Sequence, residues 1–411
     1  MLRRQYRRRI KPAATRLGLH AHIRAAYRRA SPGYYVGFHT REALRGIADE
    51  YYPFATAETV TIDPIPAPER TPLQGVSESL AGTYTFDQPF VAVVNNARIV
   101  PQMGVAVTPD NTIILETANS RTSRIRGFLQ SHPRYALDLL ATQHGSPSPP
   151  ESPDIDTAVS FIRTPDAAGE RKTEFSHWLQ GYLTRLEGLA HYVAETGRRP
   201  SIIVEENPAP WMIESLEFFG FGDDIVHWHP DEELHIECLV VPSVRRIEQV
   251  SPYQGVETKI TSPRAAQWLR EQARKQTAIT DKFSSRVFVS RGDAMRRELA
   301  NRDEILDILR PRGYEEYELA KMPVKEQIAL FMQADSVVGV HGAGLAHILF
   351  TEACTLTEII GRPYKPTYYL LAQCVGVDYQ LIAGEPIDNP NRPRIHRDVW
   401  VDPDELLAAL S

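Results

Sequence analysis

From residue 90 onward the chain alternates short β-branched runs with stretches of helical spacing, and that alternation is its main structural signal. Phe90-Val-Ala-Val-Val-Asn95 and Thr112-Ile-Ile-Leu-Glu116 read as strands divided by the turn residues Pro109-Asp110-Asn111. Glu174 to Thr196 sets Phe175, Trp178, Leu179, Tyr182, Leu183, Leu186, Leu189, Ala190 and Val193 at helical spacing. Gly197 and Pro200 stop that helix before the strand Ser201-Ile-Ile-Val-Glu205. A helix over 211–219 and strands at 225–228 and 236–241 continue the pattern. The second half repeats it with helix 264–275, strand 286–290, helix 302–309, strand 314–319, helix 324–334 and strand 336–340. A glycine turn then opens another helix, and strand 356–360 with helices at 367–375 and 402–410 completes the series. Strands and helices joined by short connections predict parallel sheets covered on both faces.

Two stretches stand outside this grammar. Residues 31–90 are rich in Pro and Tyr and are expected to form an irregular lead-in, and His144-Gly-Ser-Pro-Ser-Pro-Pro-Glu-Ser-Pro153 is expected to be a surface loop. The predicted organisation is a basic segment and lead-in over 1–84, one α/β lobe over 85–245, a second over 246–395, and a C-terminal helix over 396–411.

Composition narrows the class. With 411 residues, 42% of them hydrophobic and 24% charged, the chain can bury the cores of two or three domains without staples. Cys238, Cys354 and Cys374 are widely spaced and form no C-x-x-C pair, which argues against a disulfide framework or a zinc ribbon and for a reducing cytoplasm. No apolar run reaches the roughly 18 residues of a membrane span, and the N-terminus lacks the apolar stretch of a secretory signal, so no export is expected. Charge is unevenly spread. Residues 1–30 hold nine Arg and Lys11 without an acid, so their +10 leaves −16 for the rest of a chain whose total is −6. Interleaved with Leu17, Leu19, Ile23, Ala26 and Tyr27, these cations suit peripheral adsorption to an anionic inner leaflet, at about 1 kcal/mol each; a solvated tail and a nucleic-acid arm are the competing readings. The acidic remainder argues against a nucleic-acid-binding body.

Candidate chemistry centres on Val337-Val-Gly-Val-His-Gly-Ala-Gly-Leu-Ala-His-Ile-Leu-Phe350. Glycines at a strand's carboxyl end let backbone approach a phosphate closely, and the N–H groups of a following helix favour negative charge. His341, Gly342, Ala343, Gly344 and Leu345 therefore form a candidate anion cradle, to which His341 can donate a hydrogen bond. An H-G-A-G stretch also occurs in lipase-like oxyanion loops, but the chain has no G-x-S-x-G elbow. The glycine order and late position disfavour a dinucleotide fingerprint, and no P-loop motif is present. Glu358, on the next strand, can grip ribose hydroxyls, while Arg291 with Arg296 or Arg297 can neutralise a diphosphate leaving group.

The ordered series Arg286-Val-Phe-Val-Ser-Arg291, Arg296-Arg297, Asn301-Arg-Asp-Glu-Ile305, Gly313-Tyr314, Glu326-Gln-Ile-Ala-Leu-Phe331, Ala334, Val338-Gly-Val-His-Gly-Ala-Gly-Leu345 and Glu358 resembles the catalytic domain of glycosyltransferase family 61. His177-Trp178 with Leu186 is similar to the family's His-Trp helix, and Val94 to Glu116 resembles its opening strands, so the resemblance covers about residues 85–385. It implies an α/β, GT-B-like fold of two Rossmann-like lobes with parallel sheets facing a central cleft. It also implies an inverting mechanism, a UDP-sugar or similar nucleotide-sugar donor held by the second lobe, and a glycan or lipid-linked oligosaccharide acceptor on the first. Gln327 joins the donor-side residues through this resemblance. The family often has Asn where this chain has His347, a position near the donor turn, so donor preference does not carry over.

Inversion needs a base in the first lobe to take the acceptor hydroxyl's proton while fixed cations and N–H dipoles receive the departing diphosphate. His177 is the leading base candidate because its ordinary pKa suits proton removal near neutrality, with Glu206, Glu205 and Glu187 as competitors. His227, His229 and His235 lack an acid or cysteine at ligand spacing, and Asp154-Ile-Asp156 follows no buried strand, so no obligatory metal is expected. A non-catalytic sugar binder of the same fold and another nucleotide-sugar enzyme, such as an epimerase, are the alternatives.

Overall fold

The computed structural model describes residues 31–65, 76–118, 121–142, 153–166, 168–171, 173–250, 257–277, 282–291, 297–361, 365–389, 391 and 396–410. The basic segment 1–30, Arg296 and most of the Pro/Ser-rich stretch after Thr142 lie outside them.

β1 (Phe38–His39), α1 (Arg41–Ile47) and β2 (Glu50–Pro53) come first, followed by the antiparallel pair β3 (Glu58–Ile62) and β4 (Gly82–Phe86). β5 (Phe90–Ile99), β6 (Ala106–Val107) and β7 (Ile113–Ile114) lead into α2 (Leu115–Ala118), α3 (Thr122–Ser131) and α4 (Pro133–Thr142). β8 (Ile155–Ser160), α5 (Phe175–Gly181), α6 (Leu186–Thr196), β9 (Ser201–Glu205), α7 (Pro210–Phe218), β10 (Ile225–Trp228) and β11 (Leu234–Pro242) complete the first half. The single helix expected over 174–196 is therefore broken, with the 3-10 turn Leu183–Arg185 between its two pieces.

A hairpin, β12 (Arg246–Val250) and β13 (Glu257–Thr261), precedes α8 (Pro263–Gln276). Ser262 caps α8 by accepting from Ala265 N, with Pro263 preset for the first turn, an arrangement worth about 1 kcal/mol. Then follow β14 (Arg286–Val289), α9 (Arg302–Leu309), β15 (Glu315–Tyr317), α10 (Val324–Met332), β16 (Ser336–Val340), the 3-10 run Ala343–Phe350, β17 (Thr355–Ile360), α11 (Thr367–Val375) and β18 (Asp378–Ala383). β19 (Glu385–Pro386), β20 (Val399–Trp400) and α12 (Pro403–Ala409) close the described chain.

The fold is mixed α/β with parallel pairing in both large sheets. The second sheet runs β15-β14-β16-β17-β18 and every pair in it is parallel, as the alternating pattern predicts. The first differs from the expected parallel sheet. Its order is β1-β7-β6-β5-β11-β8-β9-β10, and it is mixed: β5 pairs antiparallel with β2, β6 and β11, whereas β11, β8, β9 and β10 are mutually parallel. One reason is connectivity, since β5 reaches β6, and β6 reaches β7, through short turns that permit only reversal. The lead-in also differs from expectation. β1 and β2 join the first sheet, while Ile62, Val76, Leu80 and Phe86 pack with Ile360 of β17 and with Tyr369, Leu370 and Cys374 of α11.

One hydrophobic cluster takes Val91 and Val159 from the first sheet, Phe161 just past the end of β8, and Val287, Val289 and Val337 from the second sheet, with α5, α6, α8, α10, α11 and the run Ala343–Phe350 contributing to it. Trp178 of α5 is fully buried there and donates to Ser215 Oγ of α7 at 2.8 Å, which satisfies its one polar atom.

Candidate active site

In the second sheet the chain leaves β14 for β15 on one side and returns to β16 on the other, so its connections diverge between β14 and β16. Ligands of open α/β sheets bind in the crevice beyond the strands' carboxyl ends at such a point. Val289 is in register with Gly339, which sends Ser290-Arg291 and His341-Gly342 off the same edge.

His341 is anchored by three strands. Its backbone N–H donates to Ile359 O at 2.9 Å, and its ring Nδ1 meets Glu358 Oε1 on the neighbouring β17. The other Glu358 oxygen accepts from Tyr379 OH on β18 at 2.7 Å. A carboxylate only accepts, so Nδ1 of His341 carries the proton and Nε2 is the nitrogen left for a ligand. Burial, then Glu358, drives the Tyr379 phenol well above its ordinary range and keeps it a donor. Glu358 is fully buried with both oxygens engaged, so it acts on His341 and does not reach a ribose as expected.

The glycines serve space more than backbone freedom. Gly342 is extended, and a Cβ there would collide with Nη1 of Arg291, whose guanidinium lies against the turn. A Cβ on Gly344 would sit 2.8 Å from Leu319 Cδ1. The run Ala343–Phe350 is 3-10 rather than the expected α-helix, with Leu345 N donating to Gly342 O at 3.0 Å. The N–H groups of Gly342, Ala343 and Gly344 donate to no backbone carbonyl among the described residues. Arg297 sits in the left-handed region at φ 60°, a conformation that functional sites often hold, and its Nε is buried without a partner.

Tyr368, at the start of α11, links this edge to the first half of the chain. Its ring lies 5.1 Å from that of His341, and its hydroxyl shares a hydrogen bond with Ser176 of α5. The next residue on α5 is His177, which faces a cavity of about 460 Å³. Arg121, Arg124, Arg163, Arg246, Lys259 and Lys365 line that cavity, against the carboxylates Asp166 and Glu248. The His177 side chain is 37% exposed, and its pKa is pushed down to about 2 by burial first and then by Lys259, Arg163, Arg246 and Arg124. Glu174, one turn earlier on the same helix, approaches its Nε2 to 4.0 Å.

Residues 175–357 match the family model of glycosyltransferase 61. The resemblance read from the motif series is thus shown over α5 through β17, a stretch that includes His177 and the glycine turn and ends one residue before Glu358. A β-1,2-xylosyltransferase of Arabidopsis thaliana is 38% identical over 63 residues, which is 15% of this chain and 12% of that relative.

Within and around the glycosyltransferase 61 region the other candidates fall into separate places. Gln327 is buried and donates to Met322 O at 2.8 Å, and Leu345 is core. His347, expected beside the donor, is 1% exposed and stacks between Phe175 and Phe331 at 4.4 and 5.0 Å. Its Nδ1 donates to Gly344 O at 2.9 Å, so it braces the turn from the protein side. Glu206 is exposed and pairs with His229 at 3.7 Å, whereas Glu205 accepts from Thr173 at 3.0 Å and lies within electrostatic range of Arg163. Glu187 is buried in ion pairs with Arg245 and Arg264, a structural engagement that removes it as a base. His227 meets Glu206 O and His235 meets Glu233, and among the described residues no three potential ligands converge on one metal position.

The sequence reading missed Tyr368, Tyr379 and the six cavity cations. The cations come from separate segments that no local pattern connects; the one available hint was Arg163 just beyond a strand's carboxyl end.

His347 makes stability depend on pH. Burial holds its pKa at about 4, below the ordinary 6.5, so the unfolded chain binds the proton more readily. Its contribution is therefore complete above about pH 6.5 and is lost as pH falls toward 4, by about 2 kcal/mol between pH 7 and pH 5. Urea unfolding of the wild type and His347→Phe at these two pH values should show that difference in slope; equal slopes would contradict it.

Proposed function

We propose that the chain is an inverting glycosyltransferase that moves a sugar from a nucleotide donor, a UDP-sugar being the leading choice, to a glycan acceptor. The observation that carries this reading is the convergence of Arg291, Glu358-backed His341 and the N–H groups of Gly342, Ala343 and Gly344 at the switch point of a parallel sheet. That set suits a diphosphate: a planar guanidinium fork, an imidazole whose Nε2 donates once the ring takes a second proton, balanced by the carboxylate behind it, and backbone dipoles. In a GT-B-like arrangement the acceptor approaches from the first half, where His177 faces the cavity, and the proton leaves its hydroxyl as the donor's C1–O bond breaks. The neighbouring match to a xylosyltransferase makes UDP-xylose one of the donors to try.

Thermal-shift measurements against UDP, GDP, CMP and dTDP sugars should show stabilisation by one nucleotide class, and that sugar should be released or transferred on incubation. Arg291→Met should raise the KM for that donor by about tenfold to a hundredfold, the value of a charged hydrogen bond. Stabilisation by none of the four classes would overturn the reading.

A further inference from the structure

The donor's diphosphate is accounted for at the switch point, yet the cavity beside His177 gathers six more cations from separate segments of the chain. We propose that this cavity seats a second oxyanion, carried by the acceptor, so that the acceptor is a phosphate- or carboxylate-bearing glycan. Calling that ligand an acceptor rests on the proposed transfer reaction; the anion site itself rests on geometry.

The cavity's own carboxylates are already engaged. Glu248 accepts from Arg121 Nε at 2.9 Å and from Arg246 Nη2 at 2.8 Å. Asp166 accepts from the backbone of Ala168 and Glu170 at 2.8 and 3.1 Å, closing its own turn. Among the described residues no carboxylate comes within ion-pair distance of Arg124 or Lys259, and Arg124 Nε is buried without a partner. Thr258, only 5% exposed and lining the same space, leaves its hydroxyl unpartnered. The Lys259 ammonium is pressed well below its ordinary range by burial and then by Arg246, with Glu248 giving partial relief. Like charges held around a partly buried space repel one another strongly because the surrounding dielectric is low. A multivalent oxyanion relieves that repulsion and supplies acceptors for the arginine forks and the Thr258 hydroxyl.

Position assigns the anion to the acceptor. Among the described residues the cavity walls come from the first half and the β12–β13 hairpin, with Lys365 and Thr367 contributed from the second sheet's connections. The donor cluster lies on the far side of Tyr368. About 460 Å³ holds one sugar residue with its charged group.

Calorimetric titration of the full chain, saturated with UDP, would use inorganic phosphate and glucuronate as probes and glucose as the neutral control. Saturable binding of an anion but not of glucose is expected, and the tighter anion distinguishes a phosphate source from an acidic sugar. Arg124→Met and Lys259→Met should each weaken it by on the order of tenfold to a hundredfold. Lys259→Met should also keep or raise the Tm, since it removes a repelled charge, which separates ligand binding from a structural role. Absence of saturable binding by both anions, or displacement of the anion by UDP one for one, would overturn the proposal. Anion binding by a chain that binds none of the UDP, GDP, CMP and dTDP classes would sink the transfer reading, and the acceptor assignment with it, while upholding the anion site.

Discussion

Replacing Glu358 with alanine is expected to lower sugar transfer by about two to three orders of magnitude, although Glu358 touches no substrate. Its two oxygens hold His341 Nδ1 and Tyr379 OH in a fully buried position on β17. Without them the His341 ring loses the constraint that aims Nε2 at the switch-point crevice, and two donors are left without an acceptor. Those orphaned donors cost about 2 to 4 kcal/mol of stability, so the alanine variant alone would confuse folding with function. Glu358→Gln separates the two. It keeps the volume and one acceptor, so it should fold, but it brings no negative charge to stand behind the imidazole. Transfer assays on the folded glutamine variant should show a fall in kcat/KM of at least tenfold. A value near wild type would remove His341 from the diphosphate site. Tyr379→Phe is the control within the same cluster, because it leaves the His341 contact in place.

The second sheet was legible because its signals are local. A β-branched run followed by glycine marks where β16 ends, and the parallel order follows from the intervening helices. The first sheet was not, because strand composition does not encode the direction of a distant partner: Val91 pairs with Pro242 and Ile99 with Leu234 across most of the first half. The Pro- and Tyr-rich lead-in concealed strands of two to five residues, too short to display a period. His347 shows a subtler limit. In an α-helix, four residues advance about 400°, which would bring position 347 back near the face of Ala343; a 3-10 turn advances about 480° and swings it some 80° further. The sequence places this histidine beside the turn, but the choice between two helix types decides that it faces Phe175 and Phe331. The cavity cations were invisible for the same reason as the first sheet, since tertiary folding alone brings Arg124, Arg163 and Lys259 together.

His177→Ala is expected to lower kcat by about two to four orders of magnitude, the range for a lost general base. The free protein makes this assignment paradoxical, because an imidazole pushed down to about 2 is too weak a base to hold a hydroxyl proton. The cause contains the answer. After burial, the depressing groups are Lys259, Arg163, Arg246 and Arg124, all cavity cations, and the acids near the ring are Glu174 on its own helix with Asp166 and Glu248 across the cavity. An oxyanion bound among those cations cancels their repulsion of a proton on His177 and raises its pKa toward the ordinary 6.5. The base is then competent only while the acceptor's charge is in place, which couples proton removal to correct occupancy and spares the donor from hydrolysis. The sign of the effect is open to measurement. The kcat/KM profile reports the free enzyme and should lack a His177 limb near pH 6.5, whereas kcat reports the complex and should bend on its acid side at a higher pH. Lys259→Met should narrow the gap between the two profiles by relieving part of the depression beforehand. Profiles that bend at one common pH, or a folded His177→Ala variant whose kcat stays within a few-fold of wild type, would place the base elsewhere, with Glu174 and Glu205 next in line.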